Sequence, residues 1–418
     1  MAEYGKILLI AMPAFLVLVL LEKLYGFFKG ADTVPLDDAV SSLSSGMTNV
    51  LKDILGLSVG IVSYEWLFSK LALFTIENTI IVYAVAFIAI DFYGYWTHRF
   101  SHKINLFWNQ HVIHHSSEEF NLACALRQPI STFVKFFTFL LIPAAILGVP
   151  SEVIAIVLPL HLFMQFWYHT RHIGKLGFIE YILVTPSHHR VHHAINSEYL
   201  DKNLSQIFIF WDFIFGTFQE ELNDVPAVYG ISRPASTWNP FKINFQHLFI
   251  LIKDAWRAKR FFDRFTIWFR PTGWRPNGFE DRYPILKIEN VYDFPKYKPK
   301  LSKKLLFWSV AHLFIVMFFL LDLFSRLGAM QLSHILIYGF YIFSTIYSLT
   351  DLMDKNKWNW SLEVLRLAGA LVICFWLGSW FGHSGVFYFV LIYHLISLAV
   401  SFAASLEANG KTTLTASG

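Results

Sequence analysis

The sequence has little of what a secreted protein or a zinc finger is built from. Cys124 and Cys374 are the only cysteines in 418 residues, so neither a disulfide framework nor a Cys-based structural zinc site is available. No H-E-x-x-H run occurs, which removes the zinc-protease arrangement and its built-in glutamate base. Charged residues make up only 15% of the chain, and there is no internal repeat. The net charge of +4 is modest and the basic residues sit beside apolar runs, so nucleic acid is excluded as a partner.

What is present is apolar. Hydrophobic residues reach 55%, with 43 Phe and 14 Trp, and apolar runs near the length that crosses a bilayer as a helix recur. Nine candidate spans follow: 7–21, 50–74, 80–95, 133–149, 153–167, 305–327, 332–349, 365–380 and 386–405. Lys52, Asp53, Glu65 and Lys70 interrupt the second, which points to partial burial in the interface. The first continues into Glu22 and Lys23 without a small-residue cleavage site and reads as an anchor.

Ten of the 17 histidines fall in four groups, His98-x3-His102, His111-x2-His114-His115, His169, and His188-His189-x2-His192-His193. Imidazole is the commonest ligand for first-row transition metals, and i, i+4 spacing puts two rings on one helical face. His98/His102, His111/His115 and His189/His193 have that spacing. Three such pairs with rings between them supply more nitrogens than one tetrahedral ion takes, so two metals held almost wholly by nitrogen are expected. The isolated His161, His247, His312, His334, His383 and His394 read instead as rings that hydrogen-bond a neighbouring helix; His172 stands between the two cases.

Charge sets the orientation. About twenty Lys and Arg lie between His169 and Lys304, and none between Gly148 and Ser151, which by the positive-inside rule places the long segment in the cytosol. All the histidine groups then converge at the cytosolic membrane face. Residues 1–79 form an N-terminal membrane section, 80–300 the histidine core with its cap, 301–405 C-terminal membrane helices, and 406–418 a disordered tail. The stretch Phe245–Phe269 alternates aromatics with basic residues, as an interfacial helix does; Lys253, Arg257 and Arg260 are its candidate lipid-headgroup contacts.

Around the metals, Asp91 lies two helical turns before His98 and is expected to accept a ring N–H there, with pairing to Arg99 or Arg127 as the alternative. Glu118, Glu119, Asn121, Asn196 and Asp201 are further candidate acceptors; each alone otherwise reads as a loop solvator or helix cap. The segment Trp211–Phe218 reads as a structural turn hinged at Gly216.

The runs Asp91-Phe-Tyr-Gly-Tyr-Trp-Thr-His98-Arg-Phe-Ser-His102, His111-Val-Ile-His114-His115, Tyr168-His169-Thr170 and Thr185-Pro-Ser-His188-His189-Arg-Val-His192-His193 resemble the fatty acid hydroxylase and sterol desaturase superfamily. Asp201-Lys-Asn203 and Trp211-Asp212 through Phe218 are most similar to its alkylglycerol monooxygenase branch. The resemblance covers about residues 80–283. It implies a non-haem di-iron centre that activates O2 and inserts oxygen into a lipid C–H bond. Carried over by position, the ligands are His98, His102, His111, His114, His115, His169, His189, His192 and His193. His188 falls outside the shared pattern and reads as an outer or solvent-facing ring, and Lys103 departs from the acidic residue that follows the second histidine in relatives. The resemblance also implies reduced tetrahydrobiopterin as electron donor.

The expected protein is therefore all-α, a multi-span integral membrane bundle with a cytosolic histidine-rich cap over a dimetal site. Its membrane would be the endoplasmic reticulum in a eukaryote or the inner membrane in a bacterium. It would oxidise a membrane lipid with O2, most simply by cleaving an ether lipid. A fatty-acyl or sterol hydroxylase or desaturase fed by an electron-donor protein is the alternative. In another class, a metal transporter or binding protein would need ligands near the bilayer midplane, whereas these lie at helix ends on one side.

Overall fold

The computed structural model describes residues 2–77 and 79–415. Helices α1 (Ala2–Phe28) and α2 (Leu36–Ile54) come first, then β1 (Val59–Gly60), α3 (Tyr64–Leu71) and α4 (Ile80–Lys103). Short helices α5 (Asn105–Trp108) and α6 (Val112–His115) lead to β2 (Val134–Lys135), α7 (Ile142–Ile146) and α8 (Ser151–Phe163). The cap holds α9 (Pro186–His193), α10 (Phe210–Phe215), α11 (Pro240–Arg257), α12 (Phe261–Thr266) and α13 (Phe279–Arg282). The chain closes with α14 (Lys303–Ser325), α15 (Leu332–Met353), α16 (Asn359–Leu377) and α17 (Ser384–Thr415).

Six helices among the described residues are long and apolar enough to cross a bilayer: Gly5–Phe28, Ile80–Lys103, Lys303–Ser325, Leu332–Met353, Asn359–Leu377 and Gly385–Glu407. The protein is an all-α, multi-pass membrane protein; among the described residues two short strands, β1 and β2, pair in parallel, Val59 with Val134 and Gly60 with Lys135. Three of the nine expected spans are corrected. The 50–74 run breaks at Gly56, whose φ of 65° stops α2, and continues through β1 into the eight residues of α3. The 133–149 run contains only the short helical stretch Phe137–Ile146, and the 153–167 run becomes the 13 residues of α8, about 20 Å of helix against a hydrocarbon core of about 30 Å. The two form an out-and-back hairpin beside α4. Its turn needs Gly148: φ is 73°, and a Cβ there would stand 2.0 Å from the Phe74 carbonyl oxygen.

The N-terminal section and the C-terminal helices share a core. Leu8, Val40, Leu43, Met47 and Leu51 lie in one buried cluster with Leu313, Val316, Leu320, Ile342 and Ile346. In the 406–418 stretch expected to be disordered, α17 runs on to Thr415, and residues 416–418 lie outside the described residues. The proline-rich linker straps the cap: the Tyr297 N–H donates to Glu118 at 2.6 Å and Lys296 pairs with Glu119.

Candidate metal centre

Helix α4 outlasts the expected end of its span and carries His98 and His102 on its final turns. His111 precedes α6, which supplies His114 and His115; His169 follows α8; and every residue of α9 is buried, including His189, His192 and His193. Arg190 fixes α9 from within, donating to both carboxylate oxygens of Glu221 at 2.7 Å. The nine expected ligands meet in two groups, His98, His102, His111, His115 and His192 in one and His114, His169, His189 and His193 in the other, with candidate donor atoms within 4.8 Å of one another in each.

The donor set fits cations. Five rings give their Nδ1 to acceptors outside the groups: His98 to Leu204 O (2.8 Å), His192 to Lys202 O (3.0 Å), His102 to Asp201 (3.2 Å), His169 to Gln165 O (3.0 Å) and His114 to Arg127 O (3.2 Å). With the proton on Nδ1, the Nε2 lone pairs point inward. There the Nε2 atoms of His98 and His111 are 3.0 Å apart, those of His102 and His115 3.2 Å, and those of His169 and His189 2.9 Å. Two nitrogens about 2.1 Å from one ion and at right angles to each other stand about 3 Å apart, which matches. Protonation does not relieve the crowding. Burial first, then neighbouring rings, hold His111, His115, His189 and His193 well below the ordinary histidine value, and burial brings His114 down to about 4.

Three of the five outer contacts come from one short loop. Asp201, Lys202 and Leu204 supply the acceptors for His102, His192 and His98, and left-handed backbone at Asp201 (φ 57°) and Asn203 (φ 51°) turns the chain so that all three face the rings. Asp212 holds this loop from behind, accepting from Leu204 N at 2.8 Å and Ser205 N at 2.9 Å. Burial works against the Asp201 charge, but hydrogen bonds from His102 and Lys103 prevail and bring its carboxyl down to about 2.

Of the six outer groups expected near the metals, only Asp201 touches a clustered ring. Asp91 is fully buried but accepts from His161 (2.7 Å), Ile207 N (3.0 Å), Phe208 N (3.1 Å) and Trp211 Nε1 (2.9 Å). Two turns along α4 are about 10 Å, beyond the reach of a carboxylate, so His98 turns to Leu204 instead. The alternative partners are engaged elsewhere: Arg99 donates to Tyr95 and Phe215 O, and Arg127 to Asp38. Glu118 takes the Tyr297 N–H, Asn121 bridges Thr33 O and Cys124 N, and Asn196 ties Pro226 O to Val228 N; all three organise loops. His188 is buried rather than solvent-facing and belongs to neither group. His172 bonds Thr33 Oγ1 at 2.9 Å.

A cavity of about 370 Å³ ends on His102, His115, His192 and His193. Trp108, Val112, Ile195, Ile231, Ile243 and Ile250 give it apolar walls, and Arg233, Gln246, Glu280 and Lys287 add polar groups. An apolar chain can therefore lie against these four rings.

A model of the fatty acid hydroxylase family matches residues 83–217. The human alkylglycerol monooxygenase is 34% identical over 362 residues, covering 85% of this chain and 80% of that protein. The chain belongs to the alkylglycerol monooxygenase family. Its Xenopus tropicalis member is 30% identical over 84% of this chain and 78% of its own, while a rice very-long-chain aldehyde decarbonylase is 24% identical over 38% of the chain and 26% of its own. No solved structure matches. As a member of this family the protein is a lipid monooxygenase, an O2-dependent oxidoreductase acting on a lipid.

The family motif around Trp211 contains Asp212, to which sequence reading assigned no chemistry. Asp212→Asn is expected to loosen the 201–205 loop and lower metal retention or activity by about 10- to 100-fold, as loss of an outer partner does, with helical content unchanged by circular dichroism. Wild-type metal binding in this variant would show that the loop holds without it.

Proposed function

We propose that the protein binds two iron ions at His98, His102, His111, His114, His115, His169, His189, His192 and His193 and oxidises the carbon beside the ether oxygen of an alkylglycerol-type lipid, with reduced tetrahydrobiopterin as donor. The observation that carries the reading is the cavity with apolar walls and polar groups that ends on four of these rings, together with the similarity to alkylglycerol monooxygenases. Nitrogen ligands alone do not select iron over zinc or copper; the family similarity supports iron. Such ions would supply O2 reduction, so that lipid C–H, O2, two electrons and two protons give C–OH and water. At a carbon bonded to an ether oxygen the product is a hemiacetal, which separates into an aldehyde and a glycerol derivative. The protein's residues hold the ligands in one tautomer, seat the chain against them, and keep the site dry.

Lys103 departs from the family pattern, and its ammonium lies 2.6 Å from Asp201 beside the cavity. A cation there bears on how substrate or donor is held, so a fatty-acyl or sterol oxidase fed by an electron-transfer protein is the second reading. Anaerobic iron loading followed by lipid mass spectrometry, with and without reduced pterin, separates the two. Aldehyde released from an ether lipid only with pterin is expected. Loss of two hydrogens, or a hydroxylated acyl chain or sterol formed without pterin, would replace the reading.

The centre is assigned to the cytosolic face. Exposed Ser197 lies on the cap, whereas exposed Ala329 follows the far end of α14. In oriented vesicles, Ser197→Cys is expected to react with an impermeant thiol reagent from the cytosolic side and Ala329→Cys from the opposite one; the reverse pattern would invert the topology.

The lipid is proposed to enter from the bilayer along α11. Ile243, Gln246 and Ile250 line the cavity, and Lys253 and Arg257 continue the same helical stripe. The basic aromatic stretch is two helices broken near Ala258 rather than one, and Trp256 (86%) and Phe261 (72%) are widely exposed, as side chains that enter a lipid interface are. Trp268, farther along the same stretch, is partly buried and donates to Arg264 O. Changing Lys253, Arg257 and Arg260 together to Gln should raise KM for lipid several-fold with little loss of kcat, because binding remote from the metals is removed. A wild-type KM with a lowered melting temperature would make the segment a packing element.

A further inference from the structure

The C-terminal helices bury a second titratable cluster that the oxidation chemistry does not use. His312 on α14, Tyr341 on α15, Glu363 and Arg366 on α16, and Tyr393 and His394 on α17 all face the interior of the bundle, with His312 and His394 at 0% exposure and Glu363 at 1%. Arg366 donates to Glu363, to Thr345 Oγ1 at 2.9 Å and to Tyr393 Oη at 2.7 Å; Tyr393 bonds His312, and Tyr341 bonds His394 Nε2 at 3.1 Å. From outside these four helices, α11 brings a charge to the cap end of the network. Its half-exposed Lys242 lies 2.8 Å from Asp351.

The hydrogen bonds are incomplete at the centre. His312 Nδ1, His394 Nδ1, Glu363 Oε2 and Arg366 Nε are buried and have no hydrogen-bond partner among the described residues. Glu363 Oε2 and His394 Nδ1 face each other at 4.0 Å, too far for a direct bond and a separation that one bridging water fills. Unsatisfied polar groups at membrane depth are costly, and four around one ion pair point to a hydrated site.

A polar chain reaches this site from the cap. Asp351 accepts from Asn359 Nδ2 at 3.3 Å, Asn359 contacts Ser348 Oγ at 3.3 Å, and Ser348 donates to Glu363. Toward the far face the way is closed by aromatics: Trp380, fully buried, packs against Tyr341 (4.7 Å between ring centres) and Tyr338 (5.5 Å).

We propose that the α14–α17 bundle holds a one-sided hydrated site in which Glu363, His394 and His312 bind water that enters from the cap side past Asp351, Asn359 and Ser348. The site is independent of the metal centre and of the lipid it oxidises. Hydrogen–deuterium exchange at the histidine ring C2 position, which needs water at the ring and follows its protonation, tests this by mass spectrometry on the full chain in nanodiscs.

His312 and His394 are expected to exchange with a pH-dependent rate, whereas buried His161, bonded on both nitrogens to Asp91 and Gln165, stays silent. If His312 and His394 are as silent as His161, the core is dry and the proposal is overturned. Asn359→Leu, which puts an apolar side chain at the entrance, should slow exchange at His394 several-fold and leave that at His334 unchanged. An unchanged His394 rate would overturn the cap-side route. Should that variant fail to fold, Ser348→Val blocks the next link and is read in the same way.

Discussion

His115→Ala is expected to abolish turnover and to lower bound metal together. Its Nε2 stands 3.2 Å from that of His102 and 3.1 Å from that of His111, inside the five-histidine group. Its ring also stacks on His193 of the other group, 4.4 Å between centres. One truncation therefore removes a donor from one group and the ring that packs the two together. Activity should fall by more than about 100-fold, the upper range for losing a mere outer partner of a ligand. Metal analysis of the purified protein should show the deficit. His334→Ala, beside Trp376 and Phe381 and outside both groups, should change neither quantity. Full metal and full turnover in His115→Ala would refute the ligand assignment.

The largest stability effect is expected at Asp91. Its carboxylate gathers four donors from α8, from the backbone at 207 and 208 and from α10. Asp91→Leu would leave all four without an acceptor in a buried region; loss of one partner of a buried pair costs about 3–5 kcal/mol. A large drop in melting temperature in detergent is expected. Asp91→Asn keeps an acceptor oxygen and should fall between. A normal melt with lost metal would instead place Asp91 at the centre.

The nine histidines were legible because helical periodicity and side-chain chemistry are both written in the sequence. The groups that orient them were not, because four of the five outer acceptors are the backbone carbonyls of Arg127, Gln165, Lys202 and Leu204, and a carbonyl carries no residue signature. Asp201 was found since it uses its side chain. Asp91 was misplaced because matching helical phase was taken for contact although the axial rise separates the groups. The membrane helices were overcounted for a similar reason: hydropathy sums over Gly56, Pro143 and Gly148, whereas a helix stops or turns at them. The cavity had no signal, since Trp108, Arg233, Gln246 and Lys287 converge on it from distant stretches of chain.

The shared core of the first and last helices bears on biosynthesis. α1 leaves the ribosome long before α14 exists, yet the buried cluster that holds Leu8, Leu43 and Met47 is completed by residues of α14 and α15. Through most of translation these early segments wait in the bilayer without their mates, while the histidine segments are completed between them. A nascent chain cut short before Lys303 would contain all nine clustered histidines and still lack the α14 residues that pack with Leu8. Cellular surveillance of such fragments can therefore act on unclasped helices without testing for metal, and a tag or fusion at the C-terminus must leave that last assembly step free.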